Sequence, residues 1–197
     1  MGIEQTLLAV ASLVVALWAA SAYNRLIALR EHVVNAFAHI EVQLKRRFEL
    51  IPNLVEVARK YLEHERSTLE AVTLARNQAL HATRTAATRP GDMDAMESLS
   101  AASAQLTDAL GRLMVVAEAY PELQADENMR QLSEEIASTE NRVSFARQAY
   151  NDAVMDYNVG IGRFPANLIA AVFRFTPSRP LEAIEDPAER RAVRVQF

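Results

Sequence analysis

A long apolar stripe with helical spacing is the feature that most constrains this chain. Apolar side chains recur mostly at every third or fourth position over residues 26–62. They are Leu26, Val33, Phe37, Ile40, Leu44, Phe48, Ile51, Val55, Ala58 and Leu62. This spacing places them on one face of an α-helix. A helical face of that length has to be buried, so the chain must supply partner helices of similar length.

Pro52 lies inside this stripe. It lacks the N–H that a helix interior uses, and its ring clashes with the carbonyl group four residues earlier. A helix is therefore expected to end or to kink here, and the sequence leaves both outcomes open. We predict that the first bundle helix ends near Glu49 and that the second begins at or just after Pro52. Residues 67–70, with the sequence STLE, then mark either a capping box or a solvated helical face.

Two further long helices are predicted in the second half of the chain. Residues 90–91, Pro-Gly, form the clearest break, after which Asp92 or Asp94 is expected to cap the third helix. A fourth helix is predicted over residues 123–158 with Gly160 as its terminator. Its apolar residues alternate in threes and fours, as in a coiled coil. The predicted bundle core comprises Val33, Phe37, Ile40, Leu44, Phe48, Ile51, Val55, Leu132, Ile136, Val143, Tyr150, Val154 and Tyr157.

The N-terminal region predicts a membrane anchor. Residues 5–24 carry no formal charge and would span about 30 Å as a helix, which matches a bilayer core. The sequence Ala-Ser-Ala at 20–22 resembles a signal-peptidase site, but Glu4 and the lack of Lys or Arg before the run favour an uncleaved signal-anchor. The predicted anchor residues are Leu7, Leu8, Val10, Leu13, Val14, Val15, Leu17 and Trp18. Arginines that follow the run place the N-terminus outside and the bundle in the cytoplasm.

The C-terminal region contains an apolar segment too short to span a membrane, at residues 163–175. An even number of bundle helices returns it to the membrane beside the anchor, whereas a single kinked rod in place of the first two would put it far from the lipid. Three placements of this segment are open: it caps the bundle core, it lies at the membrane interface, or it contacts a neighbouring subunit. Residues 192–197 alternate like a strand and either stay loose or dock on another subunit or partner. The candidate interface residues are Phe164, Leu168, Ile169, Phe173, Phe175, Val193, Val195 and Phe197.

Few residues suggest chemistry. The chain has no Cys, and the spacing of its 4 His matches no metal-binding motif. We therefore predict no catalytic residue, no cofactor and no metal, and the net charge of −4 gives no reason to expect nucleic acid. The basic cluster 45–47 either is solvated or pairs with acidic residues of the fourth helix, although binding of anionic lipid or RNA is an alternative. The acidic residues are Glu134, Glu135 and Glu140.

Four motifs, in this order, resemble the LemA family. They are YNRLIALREHVVNAF, IEVQLKRRFELIPNLVEVARKYLEHE, AYPELQADENMRQLSEEIASTENRVSFARQAYNDAVMDYN and FPANLIAAVF. The resemblance implies a membrane-anchored helical bundle of the bacterial inner membrane with the topology given above. It also implies links to membrane organisation and to membrane protein quality control, without a defined molecular activity.

The predicted fold is all-α. An N-terminal transmembrane helix (1–24) continues into an antiparallel up-and-down four-helix bundle (25–160). The bundle is followed by a short apolar segment that forms a helix (161–176). The chain ends in an extended tail that contains proline (177–197). The predicted function is that of a non-enzymatic, membrane-anchored scaffold that forms a homo-oligomer. An adaptor for a membrane protease is the alternative. The expected partners are the lipid bilayer, further copies of the chain and, as a further candidate, another membrane protein.

Overall fold

A computed structural model describes residues 2–181, and every regular element in that range is an α-helix. The all-α class and the long apolar N-terminal helix are thus confirmed. The six helices are α1 (Ile3–Arg59), α2 (Arg66–Thr88), α3 (Met93–Ala117), α4 (Pro121–Ala125), α5 (Glu127–Gly162) and α6 (Ala166–Val172).

The helix α1 continues through Pro52, so the predicted end near Glu49 is wrong. Pro52 cannot donate to the carbonyl oxygen of Phe48, which would otherwise accept a bond from residue 52. The Nε of Arg76 in α2 donates to this oxygen instead, at 3.1 Å. A side chain from a neighbouring helix therefore satisfies the carbonyl group that Pro52 leaves without its usual donor.

The first break between long helices lies at residues 60–65, after Pro52 rather than at it. The N-cap of α2 is Glu65, which makes no side-chain capping bond, so residues 67–70 are not a capping box. Ser67 lies in the first turn of α2 and is exposed. This later break still leaves four long helices in the chain: α1, α2, α3 and α5.

Two aspartates cap the later helices. Of the two predicted caps of α3, Asp92 is the one used, because its carboxylate accepts from the N–H of Ala95 at 3.1 Å. The predicted fourth helix is divided into α4 and α5. Asp126 caps α5 by accepting from the N–H groups of Asn128 at 2.9 Å and Met129 at 3.1 Å. These bonds supply partners for amide groups that a helix start leaves unpaired.

Contacts between α1 and α5 run in opposite directions along the sequence. The rings of Phe37 and Tyr150 pack edge to face with centroids 5.8 Å apart. Further along α1, Arg47 pairs with Glu140. At the end of the pair, the hydroxyl of Tyr61 donates to Asp126 at 2.9 Å. Residue numbers rise in α1 as they fall in α5.

Two of the three residues of the basic cluster 45–47 pair with α5, as one of the predicted alternatives required, whereas Glu134 pairs with Arg130 within α5. Arg46 lies 3.0 Å from Glu135, and both side chains are substantially exposed. Arg47 is buried and pairs with Glu140, with Thr107 of α3 as a second contact at 3.4 Å. The exposed pair contributes little stability, whereas a buried arginine without its carboxylate would leave an uncompensated charge.

Gly160 does not terminate α5, which continues to Gly162. The position instead allows α5 to approach α1. A Cβ atom at residue 160 would lie 2.6 Å from Cδ1 of Leu29 and 3.7 Å from Cδ2 of Leu26. The predicted helix terminator is therefore a close-packing position between two helices.

The apolar stripe of α1 faces the interior of the bundle. Every residue of the predicted core is buried except Leu132, which is half-buried against it. Tyr150 has no exposed surface. Residues from α2 and α3 complete this core, including Leu69, Val72, Met96, Leu99, Leu106 and Leu113.

We expect Arg76→Met to lower the free energy of unfolding by about 1–3 kcal/mol, because it leaves the Phe48 carbonyl without a donor. In a Pro52→Ala background the same substitution should cost less, since the N–H of residue 52 is restored. Urea unfolding of the full chain in uncharged detergent, followed by circular dichroism, measures both values. Arg84→Met, at an exposed position of the same helix, is the matched control. An equal cost in the two backgrounds would contradict this role of Arg76.

Candidate membrane-proximal site

The N-terminal part of α1 extends away from the bundle. It is the one helix within residues 2–181 that is long and apolar enough to cross a membrane, and no residue of its most apolar 18-residue window is buried. Every predicted anchor residue is exposed, from Leu7 to Trp18. Water is a poor solvent for such a surface, whereas a bilayer core matches both its length and its composition.

The apolar segment 163–175 lies beside the end of this run. Its helix α6 packs against both α1 and α5. The ring of Tyr23 in α1 lies 4.7 Å from that of Phe173 and 5.9 Å from that of Phe175, centroid to centroid. The alternative in which the segment lies far from the anchor is wrong, because the break at residues 60–65 preserves an even number of long helices.

The outward side of this segment is apolar and uncovered. Phe164 is 76% exposed, and Leu168 and Phe173 are more than half exposed. Ile169 and Phe175 are half-buried, and Ala170 is the one residue of α6 that is buried. The other candidate interface residues, Val193, Val195 and Phe197, lie outside the described residues. The segment thus packs on the bundle through one side and leaves aromatic side chains open on the other.

After α6, residues 176–181 run along α5, and we call them the strap. The side chain of Asn158 binds both backbone polar groups of Ser178, accepting from its N–H at 2.9 Å and donating to its carbonyl at 2.8 Å. Asn151 does the same for Leu181, at 2.8 and 3.1 Å. Each asparagine amide therefore acts as a two-point clamp on the strap backbone.

Two tyrosines extend these clamps. The hydroxyl of Tyr157 donates to the carbonyl of Thr176, and that of Tyr150 to the carbonyl of Arg179, both at 2.9 Å. The tyrosines are seven residues apart on α5, about 10.5 Å, and the carbonyls they bind are three residues apart on an extended chain, about 10 Å. The two repeats match, so α5 recognises the strap through its backbone.

The sequence itself carries a signal for this arrangement. The dipeptide Tyr-Asn occurs at 150–151 and again at 157–158, one heptad later. The sequence pattern predicts both tyrosines as core residues, as stated above. It does not connect them with the tail, which is expected to stay loose or to dock on another chain.

Burial changes the titration of these tyrosines. It raises the pKa of the Tyr150 hydroxyl far above its ordinary value, and a hydrogen bond with the backbone of Gly91 partly opposes the shift. Burial also raises the pKa of Tyr157, against a smaller effect of Arg30. The neutral hydroxyls, which can donate to the strap, are thus favoured in the folded chain.

Two cavities flank the junction of α1 with α6. The first, of about 450 Å³, lies between α1 and α5, and Arg25, Arg163 and Asp156 are its charged lining residues. The second, of about 670 Å³, lies near Tyr23 and the turn that precedes α3. Its charged lining residues are Arg30, Arg89, Arg174 and Asp92. Five arginines and two aspartates thus line this end of a chain whose net charge is −4.

Metal ligands are not gathered in the part of the chain that the structure describes. There, no group of three or more His, Asp or Glu side chains is placed to hold an ion. His32, His39, His64 and His81 are all exposed. The groups found at this end of the bundle are arginine side chains, exposed aromatic rings and asparagine amides that bind the strap.

Comparison with known proteins identifies the family. The LemA family model matches residues 36–197. The chain belongs to the LemA family. Among its curated relatives are the magnetosome proteins MamQ 1 and MamQ 2 of Paramagnetospirillum magneticum, each 26% identical over 168 residues. MamQ of Magnetospirillum gryphiswaldense is 24% identical over 168 residues. The matches cover 78% of this chain and 62% of each relative.

We expect Asn151→Ala to release the strap at Leu181. Two of the six strap residues, at positions 177 and 180, are prolines without an N–H, so few amides carry the signal. Hydrogen-exchange mass spectrometry should show exchange at Leu181 at least about tenfold faster, because its amide loses its acceptor. Asn141→Ala, at an exposed position of the same helix, is the control and should leave the strap protected. Equal protection in both variants would contradict the clamp.

We expect alkaline pH to destabilise the folded chain through Tyr150. Because its folded-state pKa is raised, its contribution is complete below about pH 10, the ordinary tyrosine value, and is lost as pH rises above it. The free energy of unfolding should fall by up to about 1.4 kcal/mol per pH unit for this residue. Urea unfolding between pH 8 and about pH 12 measures the slope, which Tyr150→Phe should reduce. The same slope in both proteins would exclude Tyr150 as its source.

Proposed function

We propose that this LemA-family chain is a non-enzymatic membrane-anchored scaffold that self-associates into a homo-oligomer at the bacterial inner membrane. The uncovered apolar run of α1 supports anchoring, since its side chains have no protein cover within the described chain. One helix carries both this run and the longest core stripe, so the bundle is held directly at the membrane surface.

In this proposal the N-terminus lies outside and the four long helices form an antiparallel up-and-down bundle in the cytoplasm. The opposite sequence directions of the contacts between α1 and α5 support the antiparallel order. The arginines that line the two cavities support the orientation, because positive residues next to a span favour the cytoplasmic side. The exposed rings of the segment 163–175 then meet the membrane interface, where aromatic side chains are favoured.

The observation that carries self-association is an uncovered apolar pair on the bundle. Val42 in α1 is 62% exposed and Phe145 in α5 is 73% exposed. The contacts Phe37–Tyr150 and Arg47–Glu140 bracket them on both helices, so Val42 and Phe145 lie at the same level. Two large apolar side chains that are exposed at the same level of a packed helix pair suit an interface between copies.

A role without catalysis fits the use that the bundle makes of its polar groups. The tyrosine hydroxyls and asparagine amides of α5 bind the strap, and Arg76 binds a carbonyl of α1. These groups hold the chain to itself, which is a structural use. The magnetosome relatives agree with a role at a membrane, although the chain spans only 62% of their length.

Mass photometry of the full chain in uncharged detergent tests the proposal. We expect an oligomer at micromolar concentration and a shift towards monomer in the variant Val42→Ser/Phe145→Ser, because it removes two apolar contacts of the interface. Leu168→Ser/Val172→Ser is the matched control, since it also removes two exposed apolar side chains, but on α6. A monomeric unmodified chain would refute self-association, and an equal shift in both variants would refute the assigned surface.

A further inference from the structure

The smaller cavity lies where the apolar run of α1 ends. Trp18, Ser21 and Ala22 line it from the last turns of that run, and Arg25, the first charged residue after the run, lines it one turn later. In a bilayer that matches the run, this level is the boundary between acyl chains and headgroups. Arg163, at the end of α5, brings a second guanidinium to the same cavity.

These two arginines form no ion pair within the described chain. Neither Arg25 nor Arg163 makes an ion pair with residues 2–181, where the pairs involve other arginines. Asp156 is the one carboxylate that lines the cavity, and it too has no ion pair there. Guanidinium groups bind phosphate oxygens through two parallel hydrogen bonds, so this charge pattern suits a phosphate group.

We propose that this cavity binds the phosphate-bearing headgroup of an anionic phospholipid. Arg25 and Arg163 hold the phosphate, and Trp18 and Phe164 provide the apolar surface that the glycerol backbone and upper acyl chains contact. The volume of about 450 Å³ lies within the range of small-ligand sites, roughly 300–1,000 Å³. The inference rests on the proposed membrane anchoring of α1.

The form of the cavity depends on Gly160. Gly160 and Leu29 both line it, and a Cβ atom at residue 160 would displace Cδ1 of Leu29. The absence of a side chain at residue 160 therefore lets α5 and α1 meet at the wall of the cavity that Arg163 and Arg25 also line.

Trp18 is the only tryptophan of the chain and therefore reports on this cavity by fluorescence. The full chain in uncharged detergent micelles is titrated with phosphatidylglycerol and, separately, with phosphatidylcholine. We expect a saturable change in Trp18 emission at a lower mole fraction of the anionic lipid. An identical response to the two lipids would overturn the proposal, and this comparison needs no variant.

Charge-neutralising variants locate the effect. Arg25→Gln/Arg163→Gln should weaken the response to phosphatidylglycerol roughly 30-fold, which is about 1 kcal/mol for each arginine near anionic lipid. Arg112→Gln/Arg142→Gln is the control, because it removes the same charge from two exposed residues that have no ion pair in the described chain. An equal loss in the control would assign the effect to overall charge and refute the cavity.

Two further measurements separate the remaining outcomes. Inorganic phosphate at millimolar concentration should not reproduce the emission change, and if it does, the ligand is free phosphate and the lipid assignment is wrong. Cosedimentation with vesicles of each lipid tests the anchor itself. A chain that sediments with neither kind of vesicle refutes membrane anchoring. A chain that sediments with both kinds, as an anchored chain should, but whose Trp18 emission responds equally to the two lipids refutes only the headgroup site.

Discussion

The continuity of α1 is the constraint on which the rest of the structure depends. Its 57 residues extend over about 86 Å without a break, so the apolar run and the core stripe belong to one helix. A proline near its end would ordinarily interrupt such a helix. Arg76 offsets the lost hydrogen bond by donating to the carbonyl of Phe48. A neighbouring helix of the bundle thus stabilises the same helix that carries the apolar run.

The pairing of α1 with α5 fixes the structure of the bundle at the end next to the apolar run. Tyr61 and Asp126 join the two helices at the end far from the anchor, and Gly160 lets them approach at the other. The chain then turns into α6 and returns along α5 as the strap. Bidentate bonds from Asn151 and Asn158 fix the strap by its backbone, so its position depends on spacing more than on side-chain identity. The surface at this end of the bundle is therefore formed by α1, α5, α6 and the strap, which are far apart in sequence.

Periodicity predicted what depends on local patterning, namely the helices, the apolar run and the direction that each stripe faces. It failed where a distant residue decides the outcome. Pro52 breaks a helix according to local rules, but the compensating donor lies 24 positions later, in another helix. Glycine is typical of a helix end, so local rules predict a terminator at Gly160. Its packing role depends on Leu29 of α1, which lies against it. The strap was missed for a related reason, because a segment held by its backbone leaves no apolar pattern in its own sequence.

The distribution of charge matters more here than its total. A net charge of −4 suggests repulsion from anionic membranes, yet the two cavities beside the apolar run are lined by five arginines and two aspartates. Salt screens charges beyond about 8–10 Å, so acidic residues at the far end of the bundle have little effect on a headgroup bound at this end. Phe164, which precedes α6, is left uncovered beside Arg163. In the proposed anchoring, the membrane interface supplies this ring with the burial that the protein does not.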